Sequence, residues 1–316
     1  MTYLGYQWET AYATAGSPIN KVFGAGQKVN VSIKNNTEKV FGVGGRNATT
    51  MVAKKFEGNA SIDSVMANAW WVRGMLGSPG TAVWTGSPTQ WWTYTFLENT
   101  TIPSFTIENG VSMDTKTART LKGCQMNTVT LSAAQNELVK LKFECPYSNE
   151  TKGTTLIALA TQPTETNEPF SFAHGLISIA GSAMAEMQTI ELKVNNSVDQ
   201  TWGIGSRYAT NGTAKDRHYD LKFNATFKDV TEFLNRVYGG TGSPATTPAD
   251  EATMFLKFDN AGSGTAQRVI QINLGSVFFD EHTLPSDPME VTKEDVTAYA
   301  TYCGSITYIA GSNTVL

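Results

Sequence analysis

Polar and apolar residues alternate along most of the chain, in short stretches. Single polar residues separate Val29, Val31 and Ile33, and likewise Ile190, Leu192 and Val194. A period of two puts alternate side chains on opposite faces of a strand, one face buried and the other exposed. Further strand-length runs fall at residues 101–108, 123–131 and 138–145, and at 254–258, 269–274 and 296–308. Helical spacing is rarer. Val230, Phe233, Leu234 and Val237 stand at i, i+3, i+4 and i+7, and Asp229 with Glu232 makes a capping box. Ile62, Val65, Met66, Ala69 and Trp70 form a similar stripe, which predicts a helix within residues 61–76. A Gly-Ser-Pro sequence follows each, at 77–79 and 242–244, and glycine favours the left-handed conformation that ends helices. Many short strands with one short helix in each half predict a mainly β fold, a β-sandwich or barrel with a helix against one sheet.

The halves resemble each other. Val31-Ser32-Ile33-Lys34-Asn35-Asn36-Thr37 matches Glu191-Leu192-Lys193-Val194-Asn195-Asn196-Ser197, with Asn35 and Asn195 160 apart (195 − 35). Phe41-Gly42-Val43-Gly44-Gly45-Arg46-Asn47-Ala48-Thr49 matches Trp202-Gly203-Ile204-Gly205-Ser206-Arg207-Tyr208-Ala209-Thr210, an offset of 161 (202 − 41). Asn59-Ala60-Ser61-Ile62 pairs with Asn224-Ala225-Thr226-Phe227, and Gly77-Ser78-Pro79 with Gly242-Ser243-Pro244, both at 165 (224 − 59, 242 − 77). Four matches in one order indicate a tandem duplication with a period of about half the chain. The polar, proline-containing segment 161–168 is the expected junction, giving copies over residues 1–165 and 166–316.

Composition adds a constraint on the surface. Charged residues are 16% of the 316, against about 25% in ordinary soluble proteins. So little charge protects a monomer poorly against association, and implies a surface that meets partners. The net charge of −4 argues against a dedicated nucleic-acid binder. No apolar run approaches the length of a membrane span, and residues 1–16 lack the basic-then-apolar pattern of a signal peptide. Cys124, Cys145 and Cys303 are far apart and odd in number, which suggests reduced structural thiols and neither a disulfide framework nor a zinc site. The Asn-x-Ser/Thr sequences are therefore compositional.

No catalytic constellation emerges. His174, His218 and His282 lie far apart, with no HExxH spacing. Asp216-Arg217-His218 reads as an exposed hairpin tip. The glycine-rich segments ending in Arg46 and Arg207 lack the GKS/T of a phosphate loop, and those arginines suit an interface or a turn. Trp70, Trp71, Trp84, Trp91, Trp92 and Tyr94 suit a core together with subunit contacts; stacking on sugars is the alternative. The acidic tract from Asp280-Glu281 to Asp295 reads as a solvated face.

Pro103-Ser104-Phe105-Thr106-Ile107-Glu108, followed by Gly123-Cys124-Gln125-Met126-Asn127-Thr128-Val129-Thr130-Leu131, resembles the tail tube (major tail) proteins of tailed phages. Pro169-Phe170-Ser171-Phe172-Ala173-His174-Gly175, residues 190–196 and Gly205-Ser206-Arg207 are similar to their second half. The resemblance implies a structural virion protein, not an enzyme, that needs no cofactor. Its subunits would form stacked six-fold or pseudo-six-fold rings in the virion tail, after assembly in the host cytoplasm. Their inner strands would join into a barrel through which viral DNA passes non-specifically. A duplicated chain would close the ring as a trimer. Tape measure and tail terminator proteins would be further partners. Candidate subunit or ring contacts are Arg46, Arg207, Ser78, Pro79, Trp84, Trp91, Trp92, Ser243 and Pro244, with the loops 77–90 and 239–252. A carbohydrate- or receptor-binding β-sandwich and a β-sandwich glycosidase are the rival readings.

Overall fold

The computed structural model describes residues 2–43, 46–85, 91–184, 186–227, 233–240, 243–244, 251–260, 267–284 and 293–310. The chain runs β1 (Thr2–Trp8), β2 (Ala25–Lys34), β3 (Thr37–Phe41), β4 (Ala48–Ala53), β5 (Glu57–Val65), α1 (Val72–Leu76), β6 (Thr81–Thr85), β7 (Trp91–Phe96), β8 (Phe105–Ser112), β9 (Lys116–Cys124), β10 (Thr128–Ala134), β11 (Lys140–Tyr147) and β12 (Asn149–Gly153). It continues through β13 (Gly175–Ile179), β14 (Ser182–Ala183), β15 (Met187–Asn195), β16 (Asp199–Thr201), β17 (Asn211–Thr213), β18 (His218–Thr226), α2 (Leu234–Tyr238), β19 (Ala252–Asp259), β20 (Arg268–Thr283) and β21 (Lys293–Ala310). The expected mainly β class is the one observed.

Among the described residues, thirteen strands form one sheet. Its path is β14-β13-β19-β20-β21-β18-β15-β10-β11-β5-β2, with β7 also on β21 and β6 on β7. A second sheet, β1-β8-β9-β12, lies against its first half. The core between them is aromatic: Tyr6 stacks on Phe23 at 4.3 Å, Phe105 meets Tyr6 edge-on at 5.7 Å, and Phe23 reaches Phe143 of the large sheet at 5.2 Å. In the second half, Phe233, just before α2, packs on Phe223 at 5.1 Å and Phe279 at 6.2 Å. β20 and β21 run unusually long. Register shifts interrupt their pairing at Asn273/Leu274 and Phe279/Glu281, and such bulges bend a strand.

The halves are joined by hydrogen bonds across the expected junction. β10 pairs with β15 over seven positions, and β7 from the first half pairs with β21 from the second.

The helix predicted within 61–76 is corrected: β5 occupies its first part, and α1 is the single turn at Val72–Leu76. The stripe Ile62-Val65-Met66 fits a helix, but residues 58–64 also alternate buried and open. Pairing with β2 on one side and β11 on the other decides for strand. Gly58 has a local reason as well, since a Cβ there would stand 2.2 Å from the Tyr147 ring that crosses it. In the second half α2 keeps Leu234 and Val237; the proposed Asp229–Glu232 capping box lies outside the described residues.

Leu131 lies at the junction of the halves, opposite Leu192 on one side and Leu141 on the other, 2% exposed. Leu131→Ala is expected to destabilise the fold by about 2–4 kcal/mol, the range for an aliphatic core truncation. Urea unfolding should show it as a lower midpoint with an unchanged slope.

Candidate assembly interfaces

The seam between the halves is a finished interface within one chain. Its sheet face carries Val129 opposite Val194 and Leu131 opposite Leu192. Beside it, the segment between β16 and β17 reaches back onto the first half. Arg207 Nε donates to the Lys54 carbonyl at 3.0 Å and its guanidinium to Asn35 Oδ1 at 3.1 Å. The Phe56 N–H returns a bond to the Arg207 carbonyl at 2.8 Å. Trp202 Nε1 donates to the Phe56 carbonyl at 3.2 Å, Lys55 Nζ sits 4.6 Å over the Trp202 ring, and Tyr208 meets Phe56 at 5.6 Å.

A second polar knot lies deeper. Asn196, 1% exposed, donates to the carbonyls of Met75 and Met126 at 3.1 and 2.9 Å. Its own oxygen accepts from Arg217 Nε at 2.7 Å, and Arg217 also reaches the Asn99 carbonyl at 3.0 Å. This corrects the reading of Asp216-Arg217-His218 as a charged tip: Arg217 is a half-buried strut between the halves, while Asp216 and His218 are exposed.

The sequence-derived contact residues scatter. Arg207 belongs to the seam, whereas Arg46 is exposed and makes no hydrogen bond or ion pair among the described residues. Gly77 ends α1 at φ 89°, Ser78 Oγ accepts from the Gly80 N–H at 3.3 Å, and Pro79 is exposed. The rest of that stretch is not a plain loop, because residues 81–85 form β6. Trp84 packs on Trp92 across the β6–β7 hairpin at 5.2 Å and stays open on its other side, and Trp91 is half-buried. Trp71 and Tyr94 are core, and Trp70 meets Tyr94 and Tyr308 edge-on at 5.5 and 5.4 Å. Ser243 and Pro244 are exposed.

The glycine-rich segment ending in Arg46, expected as a hairpin, is part of the β3–β4 hairpin, but the sequence analysis missed how open its apolar residues are. Val40, Phe41, Met51 and Val52 are all exposed on it, with Phe41 57% open. An exposed apolar cluster of this kind marks a contact surface. The readable signal was an apolar run around a glycine-rich turn without the alternation of a half-buried strand.

Two strand edges are also open. Among the described residues, β2 has a strand partner only in β5. Among the described residues, 278–283 of β20 pair with β21 alone, since the described pairing of β19 with β20 ends at Val277. The exposed charges differ in sign: β2 presents Lys28 and Lys34, whereas β20 presents Asp280 and Glu281. The acidic residues read as a solvated face thus partly belong to an edge with no second strand among the described residues.

Across the solvent face of the large sheet, cross-strand rows alternate charge. One row runs Lys28, Asp63, Lys142, Thr130, Lys193, Asp220, Tyr299; another runs Ser132, Glu191, Lys222, Thr297. Partial burial pushes the Glu144 carboxyl up, but hydrogen bonds from Asn59 (2.9 Å) and Ser61 (2.7 Å), with the nearby Lys142, outweigh this and hold it below the usual carboxylate range. Lys55 and Asn36 do the same for Glu57.

A carboxylate held low in the fold stabilises it above its unfolded pKa, and that gain is lost as pH falls through the folded value. Glu144→Gln should therefore be less stable than the parent at pH 7. The gap should close as pH drops below about 4.3, the ordinary glutamate value. Urea midpoints from pH 7 to 3 check this, and a pH-independent gap would contradict it.

Among the described residues, no three His, Cys, Asp or Glu side chains are placed to hold a metal, and no helix is long and apolar enough to cross a membrane. His174 Nδ1 accepts from the Ser171 N–H at 3.1 Å, and His282 pairs with Glu294 at 2.7 Å, both local. No curated protein matches the chain. A family model described as phage tail tube protein matches residues 1–302. An edge-rich sheet with an open apolar hairpin agrees with the match, and the chain belongs to the phage tail tube protein family.

Proposed function

We propose that the chain builds a hollow tail tube: three copies close edge to edge into a ring of six like modules, and the rings stack. The observation that carries this is a repeated strand order. Along the large sheet, β2-β5-β11-β10 is followed by β15-β18-β21-β20, and the last strand of the first set pairs with the first strand of the second.

The registers support equivalence of the two sets. Gly58 stands opposite Ile33 and Tyr147, as Tyr219 stands opposite Val194 and Ala300. A short helix follows each of β5 and β18 and ends on a left-handed glycine, Gly77 at φ 89° and Gly239 at φ 73°. This alignment sets Asn59 against Asp220, not Asn224, and Gly77 against Gly239, not Gly242. The repeat then holds a nearly constant offset, and the two halves are copies of one module.

If β10 meets β15 within a chain, the β20 edge of one chain would meet β2 of the next. Burial agrees. Ile190, Leu192 and Val194 of β15 are at most 2% exposed, while Ile33 of the equivalent β2 is 51% exposed. Lysines on one free edge and carboxylates on the other favour unlike edges and disfavour like ones. That makes the contact head-to-tail, the kind that closes into rings, and barrel closure leaves no edge unpaired.

The solvent face of the sheet would line the lumen. Its lysines stand beside carboxylates or hydroxyls, so it offers DNA no unbroken basic track, and phosphate binding depends on such cations. DNA would slide through without being held, and other tail proteins would cap the tube ends. The three buried free thiols suit assembly in a reducing host cytoplasm.

Negative-stain microscopy of the concentrated protein should show rings or hollow cylinders, and a chain that stays monomeric would sink the proposal. Adjacent N–H groups of a strand point to opposite edges. Of Asn30→Pro and Val31→Pro, one should therefore lose its bond to β5 and unfold more readily. The other should fold normally and fail to assemble.

A further inference from the structure

We infer that the β3–β4 hairpin of one chain clasps the second half of its ring neighbour, with Phe41 and Arg46 seated on residues 195–197 and 215–217. The inference rests on the ring proposed above and names a contact within it.

The template is the clasp already made within one chain. There Trp202 and Arg207 cross from the second half onto the first, where Asn35, Lys54 and Phe56 receive them. Phe41-Gly42-Val43-Gly44-Gly45-Arg46 repeats Trp202-Gly203-Ile204-Gly205-Ser206-Arg207 in order and spacing. The first half therefore carries the same pair, an aromatic and an arginine five residues on. Neither is used inside the chain: the Phe41 side chain is mostly open, and Arg46 has no polar partner among the described residues.

The receiving platform is also present twice. In the first half the Lys54 N–H donates to the Asn36 carbonyl at 3.3 Å, which ties the turn after β2 to the start of β5. In the second half the Lys215 N–H donates to the Asn196 carbonyl at 3.2 Å, tying the turn after β15 to the start of β18. The first platform is occupied by Arg207. In the second, Arg217 of the same chain holds Asn196 and Lys215 pairs with Asp199 at 2.7 Å, but among the described residues no arginine reaches the Lys215 carbonyl, the counterpart of the Lys54 carbonyl.

One difference favours a cation there. Beside Lys54 stands Lys55, which lies over Trp202; beside Lys215 stands Asp216, an exposed acid with no polar partner among the described residues. The arriving side chains differ in step, because Phe41 replaces Trp202 and Arg46 gains a carboxylate to face. Charge-assisted hydrogen bonds of arginine to a carboxylate are among the stronger polar contacts.

The test is site-directed cross-linking of the full chain. Arg46→Cys combined with Lys215→Cys, treated with a short bismaleimide, should give a covalent link between chains in assembled material. Cys124, Cys145 and Cys303 are buried and should stay silent. Arg207→Cys combined with Lys54→Cys is the control and should link within one chain, as mass spectrometry of the joined peptides would show. As a second measurement, Arg46→Glu should raise the protein concentration needed for assembly roughly tenfold or more, with an unchanged unfolding midpoint, and Asp216→Arg on top of it should restore assembly. Rings that form while the control links and the 46–215 pair does not would overturn the clasp and leave the ring standing. A chain that stays monomeric at every concentration would overturn both.

Discussion

The β10–β15 ladder is the constraint on which the rest of the molecule depends. Without it each half would end in an open strand, and the large sheet would be two separate sheets. With it, Val129, Leu131, Leu192 and Val194 become interior residues, none more than 2% exposed. Arg207 and the Arg217–Asn196 knot then lock the flanks of the ladder. An aliphatic seam gives stability but little direction, whereas the arginines fix register, because a guanidinium meets its acceptors only in a narrow geometry.

The same ladder explains why the molecule looks unfinished. Backbone N–H and C=O groups at a strand edge need partners, and soluble proteins usually cover or blunt such edges. Here, among the described residues, β2 has no strand on its outer side and contains no proline, and the last residues of β20 are paired on one side only. Membership of the tail tube family gives these features a purpose: in the proposed ring, what is a hazard for a monomer is the joint between subunits. The low charged fraction pointed the same way, as an association-prone surface.

Much of the fold was legible because strands advertise themselves by period two. β15 and β11 alternate cleanly, and the bounds of β15, β11 and β21 fall close to the runs read from the sequence. The failures share a cause. Residues 61–66 fit a helical and a strand stripe equally, and only pairing on both sides, which is non-local, decides between them. β9 was missed because Lys116–Cys124 alternates weakly, its inward positions including Ala118 and Gly123. Of the candidate contacts, Arg207, singled out through the repeat, makes its bonds within the chain. Arg217 was misread because local charge density suggests a tip, while its acceptors, Asn196 and the Asn99 carbonyl, lie far away in sequence. The open apolar surface of the β3–β4 hairpin was missed because its residues look like core in the sequence, whereas they are exposed in the fold.

The duplication proposed above would change how a ring can assemble. In the proposed trimer, three of the six seams form during folding, at the effective concentration set by chain connectivity. The other three form between chains and depend on protein concentration. The two kinds of seam therefore face different demands. The inner one can rely on aliphatic contact, since its partner is always present. The outer one must choose the right edge among many copies and must avoid pairing β2 with β2. The open edges meet that demand with charge: Lys28 and Lys34 on one, Asp280 and Glu281 on the other. Two basic edges repel, two acidic edges repel, and only the head-to-tail encounter is attractive. Such a rule selects the one polarity of joining that closes on itself, and it does so without burying an unpaired charge in the isolated chain.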